Sequence, residues 1–470
     1  MESLLLTHGR IVDPARGIDE AGDLLIRDGR VAAHGPDLRS QASPDIPVVD
    51  VDGRVVCPGL TDAHVHLREP GQSAKETLQT GARAAARGGF TSVVCMPNTS
   101  PAIDTPSTVR WIQRRAGEDC PVRLRVAGAL SKGLAGEEMA SIGALRQIGV
   151  VALTDDGACI QNHELMCRAM EYAAMFDLPV LDHCQDYSLV TDGVMHEGRY
   201  STMLGLRGWP AAGEELIVAR NILLAERTGT RVHCQHLSTA GSVRLLREAR
   251  ARGVPVSGEA CPHHFTLTDA AVAGSETFWN TDGRSLHPDL SPEDLPRWPA
   301  YDTHFKMNPP LRSALDRAAV IEGVIEGVLS VIASDHAPHT NYQKQVEFDQ
   351  APFGITGLET ELGLALTQLH HRHGMSLSDL LARFTSGPAE LLKLEREEPG
   401  AGTLAPGAPG DVTIIDPDLE WRFTREETAS KAANSPFYGW PLKGRAVGTV
   451  LRGRLVWRHG SLRASLGATF

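Results

Sequence analysis

Four histidines and two aspartates have the types and spacing to hold metal ions: His64, His66, Asp156, His183, His236 and Asp335. Each follows a short apolar run of the kind that forms a strand. Side chains at i and i+2 of a strand point to the same side, so both imidazoles of His64-Val65-His66 can reach one ion. Imidazole nitrogen and carboxylate oxygen are donors that zinc accepts. A catalytic zinc with an open position needs only three protein ligands, so six donors suit two ions that share Asp156 and a hydroxide. Such a hydroxide is a nucleophile at neutral pH, and Asp335 is placed to take its proton and return it. One such residue alone would be an ordinary polar group. Six of them, spread over the ends of five different runs, form a pattern that chance rarely produces. Cys184 and Cys234 adjoin ligand histidines, but neighbours on a strand face opposite ways, so both are expected in the core. The adjacent pair His263-His264 has neither strand nor helix spacing for a common ligand and is expected in a structural turn. His370, His371 and His373 are expected on a solvated helix face.

These side chains need a frame that brings strand ends together. From residue 55 to about 335, short β-branched runs alternate with helix-like stretches and Gly or Pro punctuation. The runs are Val55–Cys57 leading to His64, Thr91–Cys95, Val122–Ala127, Val150–Thr154, Pro179–His183, Arg231–His236, Val254–Glu259 and Ser330–Ser334. Eight strands alternating with helices predict an α/β fold, a parallel (β/α)8 TIM barrel whose reactive face lies at the C-terminal strand ends. Ser73 and Glu76 form a capping-box pattern opening a helix over Ala74–Arg87, and Thr105-Pro106 opens another. Further helices are expected at Leu358–His373, Leu377–Thr385 and Pro388–Lys393. Both ends of the chain carry short alternating strands and Gly-Arg hairpin signals at Gly9, Gly29, Gly53 and Gly453. The expected organisation is therefore a small composite β domain from residues 1–53 and 401–470 around a catalytic barrel at 54–400. The long polar segments 187–212 and 266–303 break the rhythm and are expected to cover the site.

Composition narrows the function. The 470 residues carry 46 Lys+Arg against 58 Asp+Glu, a net charge of −12, which repels a polyphosphate partner and argues against nucleic acid. No apolar run approaches membrane-span length and the N-terminus lacks a basic signal region, so neither membrane insertion nor secretion is expected. Eight cysteines without a C-x-x-C pair suit reduced thiols in a cytoplasmic protein, and the sequon at Asn98 then reads as chance.

Several motifs together resemble class I dihydroorotase of the amidohydrolase superfamily. They are Asp62-Ala-His-Val-His-Leu-Arg-Glu-Pro-Gly71, Gly88-Gly-Phe-Thr91, Met96-Pro-Asn-Thr99, Asp155-Asp-Gly157, Lys306-Met-Asn-Pro-Pro-Leu-Arg312, Ser334-Asp-His-Ala-Pro-His339 and Asn434-Ser-Pro-Phe437. The resemblance covers essentially the whole chain. It implies reversible cyclisation of N-carbamoyl-L-aspartate to L-dihydroorotate in pyrimidine biosynthesis, at one or two Zn2+ per chain, two on the ligand count. It implies His64, His66, Asp156, His183, His236 and Asp335 as ligands, with Asp335 as general acid/base. It implies His66, Arg68, Asn98, Asn308, His339 and the backbone of Phe353 and Gly354 as substrate contacts. A planar Arg fork suits the substrate carboxylate, and Asn and His would supply neutral donors. Self-association and association with aspartate transcarbamoylase are the partners it suggests.

Two departures stand out. Many relatives bridge their metals with a carboxylated lysine after the fourth strand, yet no lysine occurs between Lys132 and Lys306, so Asp156 must bridge. The segment 266–303 is also longer than in typical relatives. An allantoinase or dihydropyrimidinase would use the missing lysine, and an inactive scaffolding subunit would be expected to lose ligands; here none is lost.

Overall fold

The computed structural model describes residues 2–288 and 290–462. The last part of the expected C-terminal β segment, 463–470, lies outside the described residues.

Eight parallel strands form the barrel: β1 (Leu60–Val65), β2 (Phe90–Cys95), β3 (Arg123–Gly128), β4 (Ala152–Leu153), β5 (Val180–Asp182), β6 (Val232–Cys234), β7 (Val256–Ala260) and β8 (Val331–Ile332). Each pairs in parallel with the next. A bridge between Val65 and His336 closes the ring. The first two strands are buried along their whole length, as expected of a parallel sheet covered on both faces. Helices such as Pro106–Asp119, His163–Met175, Ala212–Thr228 and Ala240–Ala251 wrap the outside.

A second eight-stranded sheet joins the two ends of the chain, in the order Arg454–Arg458, Pro441–Leu451, Val412–Arg422, Val55–Pro58, Leu4–Asp13, Ile18–Arg27, Arg30–Gly35, with Val48–Asp50 beside Leu4–Asp13. Asp28-Gly29 and Arg452-Gly453 have positive φ at both residues, the type I′ geometry that matches strand twist. Gly9 is not a hairpin residue; it follows a register break inside Leu4–Asp13.

Three expectations need correction. The first barrel strand does not begin at Val55: Val55–Pro58 belongs to the terminal sheet, pairing with Val412–Arg422 and Leu4–Asp13, and the chain passes to the barrel at Gly59. A Cβ on Gly59 would lie 2.1 Å from Thr91 Oγ1, so only glycine passes between the two sheets here. The helix expected at Ala74 starts at Leu78, because Thr77 and Thr80 form the capping box. Glu76 is instead drawn into the interior, where it accepts from Ser430 Oγ and the Lys431 N–H and lies 3.3 Å from His336 Nε2. Finally, the helix after residue 358 is a short α turn, Glu361–Ala365, running into a π-helical stretch, Leu366–Arg372. There His370 and His371 reach the carbonyls of Met375 and Pro417 and are not simply solvated.

Candidate metal centre and binding pocket

The C-terminal ends of β1 and β8 are fastened by Asp62, which is fully buried and accepts from the His64 N–H at 2.9 Å and from the Ser334 N–H and hydroxyl. Beyond the strand ends the chain turns sharply. Arg68, His236 and Asp335 take φ values of 62°, 34° and 46°, a region that L-residues with side chains rarely adopt. Such backbone strain concentrates at working sites, and here all three residues belong to the expected set.

The six expected ligands converge. Asp156 is the hub: its Oδ1 is 3.2 Å from His64 Nε2, 3.6 Å from His183 Nδ1 and 3.8 Å from His236 Nε2, and its Oδ2 is 3.4 Å from His66 Nε2. Asp335 Oδ1 lies 2.9 Å from His66 Nε2 and 3.5 Å from His64 Nε2. His183 Nδ1 and His236 Nε2 are 2.8 Å apart. Two overlapping groups, His64/Asp156/His236 and His64/His66/Asp335, each have the compactness to hold an ion.

The residues fit metal ions. His64 Nε2 and Asp156 Oδ1 are buried and, among the described residues, lack a hydrogen-bond partner of proper geometry, although they are 3.2 Å apart. Buried polar atoms are seldom left so. Burial opposes charge on His64, yet Asp156, Asp335 and Glu259 outweigh it and lift its pKa well above the usual value. The same imidazoles hold the Asp156 and Asp335 carboxyls well below theirs, against the opposing effect of burial. The cage favours positive charge.

Residues other than the six expected ligands orient these side chains. His64 Nδ1 is 2.7 Å from Glu259 Oε1, so the ring donates there and presents Nε2 to the centre. Glu259 also accepts from the His236 N–H and pairs with His233; burial would raise its carboxyl, but His64 and His233 bring it down to about 2. His66 donates from Nδ1 to Asn98 Oδ1 at 2.8 Å, and His183 from Nε2 to Gln185 Oε1 at 2.9 Å. Such outer partners fix ring orientation and ligand basicity. Asp155, next to the hub, has a structural role: it accepts from the Leu130 and Ser131 N–H groups and the Ser131 hydroxyl.

Beside the centre lies a cavity of about 160 Å³ lined by Arg68, Asn98, Asn308, His339, Phe353 and Gly354 together with the expected ligands His66, Asp156, His183, His236 and Asp335. None of its lining residues comes from 187–212 or 266–303. The second segment is instead occupied elsewhere: Phe278, Trp279 and Trp298 pack on Trp440 in a separate aromatic core.

Arg68 is 7% exposed, and among the described residues no carboxylate pairs with it; only the Pro338 carbonyl accepts from its Nε. Burial lowers its pKa to about 10, so it is still charged at neutral pH. An unpaired buried guanidinium is costly unless an anion completes it. His339 differs from expectation. Its Nε2 donates to the Phe353 carbonyl at 2.8 Å, and burial beside Arg68 and Lys344 pushes its pKa down to about 2. The ring is therefore neutral, and Nδ1, buried without a partner among the described residues, is an acceptor and not a donor. Gly157 has a positive φ of 80°, and a Cβ there would sit 2.8 Å from Asn98 Nδ2, so glycine keeps that amide in place.

Asn434 holds this wall together. Its Nδ2 donates to the Ala337 and Gly354 carbonyls at 3.0 and 3.1 Å, and its Oδ1 accepts from the His339 N–H at 3.0 Å. The Asn434-Ser-Pro-Phe motif contained it, but no spacing rule links residue 434 to residue 339.

A model of the dihydro-orotase-like family matches residues 53–242. The chain is 47% identical over 455 residues to a dihydroorotase of Syntrophotalea carbinolica, covering 97% of this chain and 99% of that one. It is 48% identical over 460 residues to a dihydroorotase of Pelotomaculum thermopropionicum, covering 98% and 100%. Among solved structures, the L-hydantoinase of Arthrobacter aurescens superposes with a TM-score of 0.82 at 23% identity, over 98% of both chains. A dihydropyrimidinase of Brevibacillus agri gives 0.79 at 22%, over 99% of this chain and 97% of that one. At such identities the likeness is one of fold.

Proposed function

This chain belongs to the dihydroorotase family, and from that premise we propose that its site interconverts N-carbamoyl-L-aspartate and L-dihydroorotate at a pair of zinc ions. The observation that carries the metal reading is the position of Asp156, whose two oxygens face all four imidazoles within 3.8 Å. His64, His66 and Asp335 would hold one ion and His183 and His236 the other, with Asp156 between them. When bound, the ions would polarise the ring carbonyl and supply a nucleophilic water at neutral pH.

The chain's own residues do the rest. Arg68 offers the substrate carboxylate its missing counter-charge, and the free amide hydrogens of Asn98 lie beside it in the same cavity. His339 Nδ1 is suited to accept a ring N–H. Asp335 takes the proton released as the ring opens and passes it to the leaving ring nitrogen; in closure the proton runs the other way. The place of this reaction in pyrimidine synthesis and a cytoplasmic setting, which the eight free thiols suit, belong to the same reading, as do self-association and a complex with aspartate transcarbamoylase.

Chelator-stripped protein is expected to lose ring opening of L-dihydroorotate and to regain it with Zn2+, with ~1 to 2 ions per chain needed at this centre for full turnover. Full turnover in metal-free protein would overturn the reading. Arg68→Lys keeps the charge but not the fork, so KM for L-dihydroorotate should rise about 10- to 100-fold with kcat less affected. Unchanged kinetics would mean the carboxylate binds elsewhere.

A further inference from the structure

A second group of metal-type donors stands at the end of β7, and none of its members serves the centre described above. Cys261, His263 and His264 are 0%, 2% and 3% exposed, and one donor atom from each lies within 4.8 Å of the other two. Their adjacency in sequence does not prevent this, because the chain leaves the strand at Cys261 in an extended conformation and then makes the single turn Pro262–Thr266. That turn brings the two imidazoles to 4.3 Å between ring centres.

The imidazoles are incompletely satisfied. His264 Nε2 lies 3.0 Å from the Pro309 carbonyl, which can only accept, so Nε2 carries the proton and Nδ1 keeps its lone pair. Among the described residues that Nδ1 is buried without a hydrogen-bond partner, and so is His263 Nε2. A ring nitrogen that donates to a backbone carbonyl while the other stands free is the usual arrangement of a metal-bound histidine. Burial keeps both rings neutral, with the His263 pKa pushed down to about 4 and that of His264 well below its usual value. Cys261 is a free thiol.

We propose that Cys261, His263 and His264 form an additional metal site, distinct from the catalytic pair, that takes a thiophilic cation of the Zn2+ class through two imidazole nitrogens and one thiolate. The thiol must lose its proton to solvent as the S–metal bond forms, so binding releases one proton. The thiolate sets this site apart from the nitrogen–oxygen catalytic centre and biases it toward soft and borderline ions over Mg2+ or Mn2+.

Cobalt(II) gives a direct test, because a thiolate-to-cobalt charge-transfer band cannot arise from imidazole and carboxylate ligands. Stripped protein reloaded with Co2+ is expected to show that band in the near ultraviolet. Cys261→Ser should abolish the band and lower the metal content by ~1 ion per chain, while ring opening of L-dihydroorotate continues at close to the wild-type rate. If that variant does not fold, His264→Gln should likewise lose the extra ion. Cobalt-loaded wild type without the band, or a band that survives in Cys261→Ser, overturns the proposal. Either result leaves the catalytic reading untouched, since that reading stands or falls on the metal dependence of turnover.

Discussion

Asp335→Asn is expected to lower ring opening and ring closure together by ~10²- to 10⁴-fold, the range for loss of a positioned general acid–base. The substitution preserves size and one oxygen, so metal content, measured on the same sample, should fall far less than activity. The carboxylate sits where both jobs can be done. It lines the substrate cavity and stands 2.9 Å from His66 Nε2. Burial would keep its proton on, but His64 and His66 hold the carboxyl well below its usual value, so the ionised form dominates at neutral pH. Hydrolysis needs that form and should fall as pH drops through the apparent pKa of the site. Cyclisation starts from the protonated acid and should fall as pH rises. The two directions should therefore show opposite pH trends in wild type, and both trends should vanish in the variant. Retained metal with near-normal turnover would move the proton transfer elsewhere. His339 is then a weak substitute, because a ring held near a pKa of about 2 is a poor base at neutral pH.

Asp156→Ala should be at least as damaging, by a different route. Its Oδ1 faces His64, His183 and His236 and its Oδ2 faces His66, so on the proposed division its removal would take a ligand from both ions at once. It also leaves four buried imidazoles facing one another without the carboxylate that favours positive charge there. We expect both ions to be lost and turnover to fall ~10⁴-fold or more. His183→Ala provides the contrast. It touches one half of the cage, so one ion should be lost before the other. Elemental analysis of the two variants separates the cases, and equal loss of both ions from His183→Ala would contradict the division of ligands.

The convergence of the six residues was readable because strand periodicity and barrel geometry constrain them. His64 and His66 share a face by alternation, and Asp156, His183, His236 and Asp335 each follow an apolar run. What was not readable depends on contacts between distant segments. Glu259 lies 195 residues from His64, and an acidic residue near the end of a strand carries no mark of the ring it orients. Asn434 reaches the pocket wall from beyond the barrel, in a loop that follows the terminal-sheet strand Val412–Arg422. The proton position on His339 follows from the Phe353 carbonyl, which no spacing predicts. The start of the first helix was misplaced for a related reason: Ser73 and Glu76 satisfy the local capping pattern, but Glu76 finds stronger partners in residues 430 and 431. Local rules lose where a buried long-range network competes with them. The segment 266–303 shows the same limit. Its length and polarity suggested a cover for the site, whereas its few aromatic residues, Phe278, Trp279 and Trp298, decide its position by packing on Trp440.

Under the proposed function this pocket recognises a cyclic amide bearing a carboxylate, with Arg68 as the counter-ion. Dihydrouracil is the same ring without that carboxylate, so kcat/KM for L-dihydroorotate and dihydrouracil, measured on the same zinc-loaded protein, isolates the group in question. We expect a preference for L-dihydroorotate of ~10³-fold or more, since a site built around a buried charge rejects an analogue that leaves it unpaired. Comparable values for the two substrates would contradict it, and would align the activity with that of the dihydropyrimidinase whose fold the chain shares.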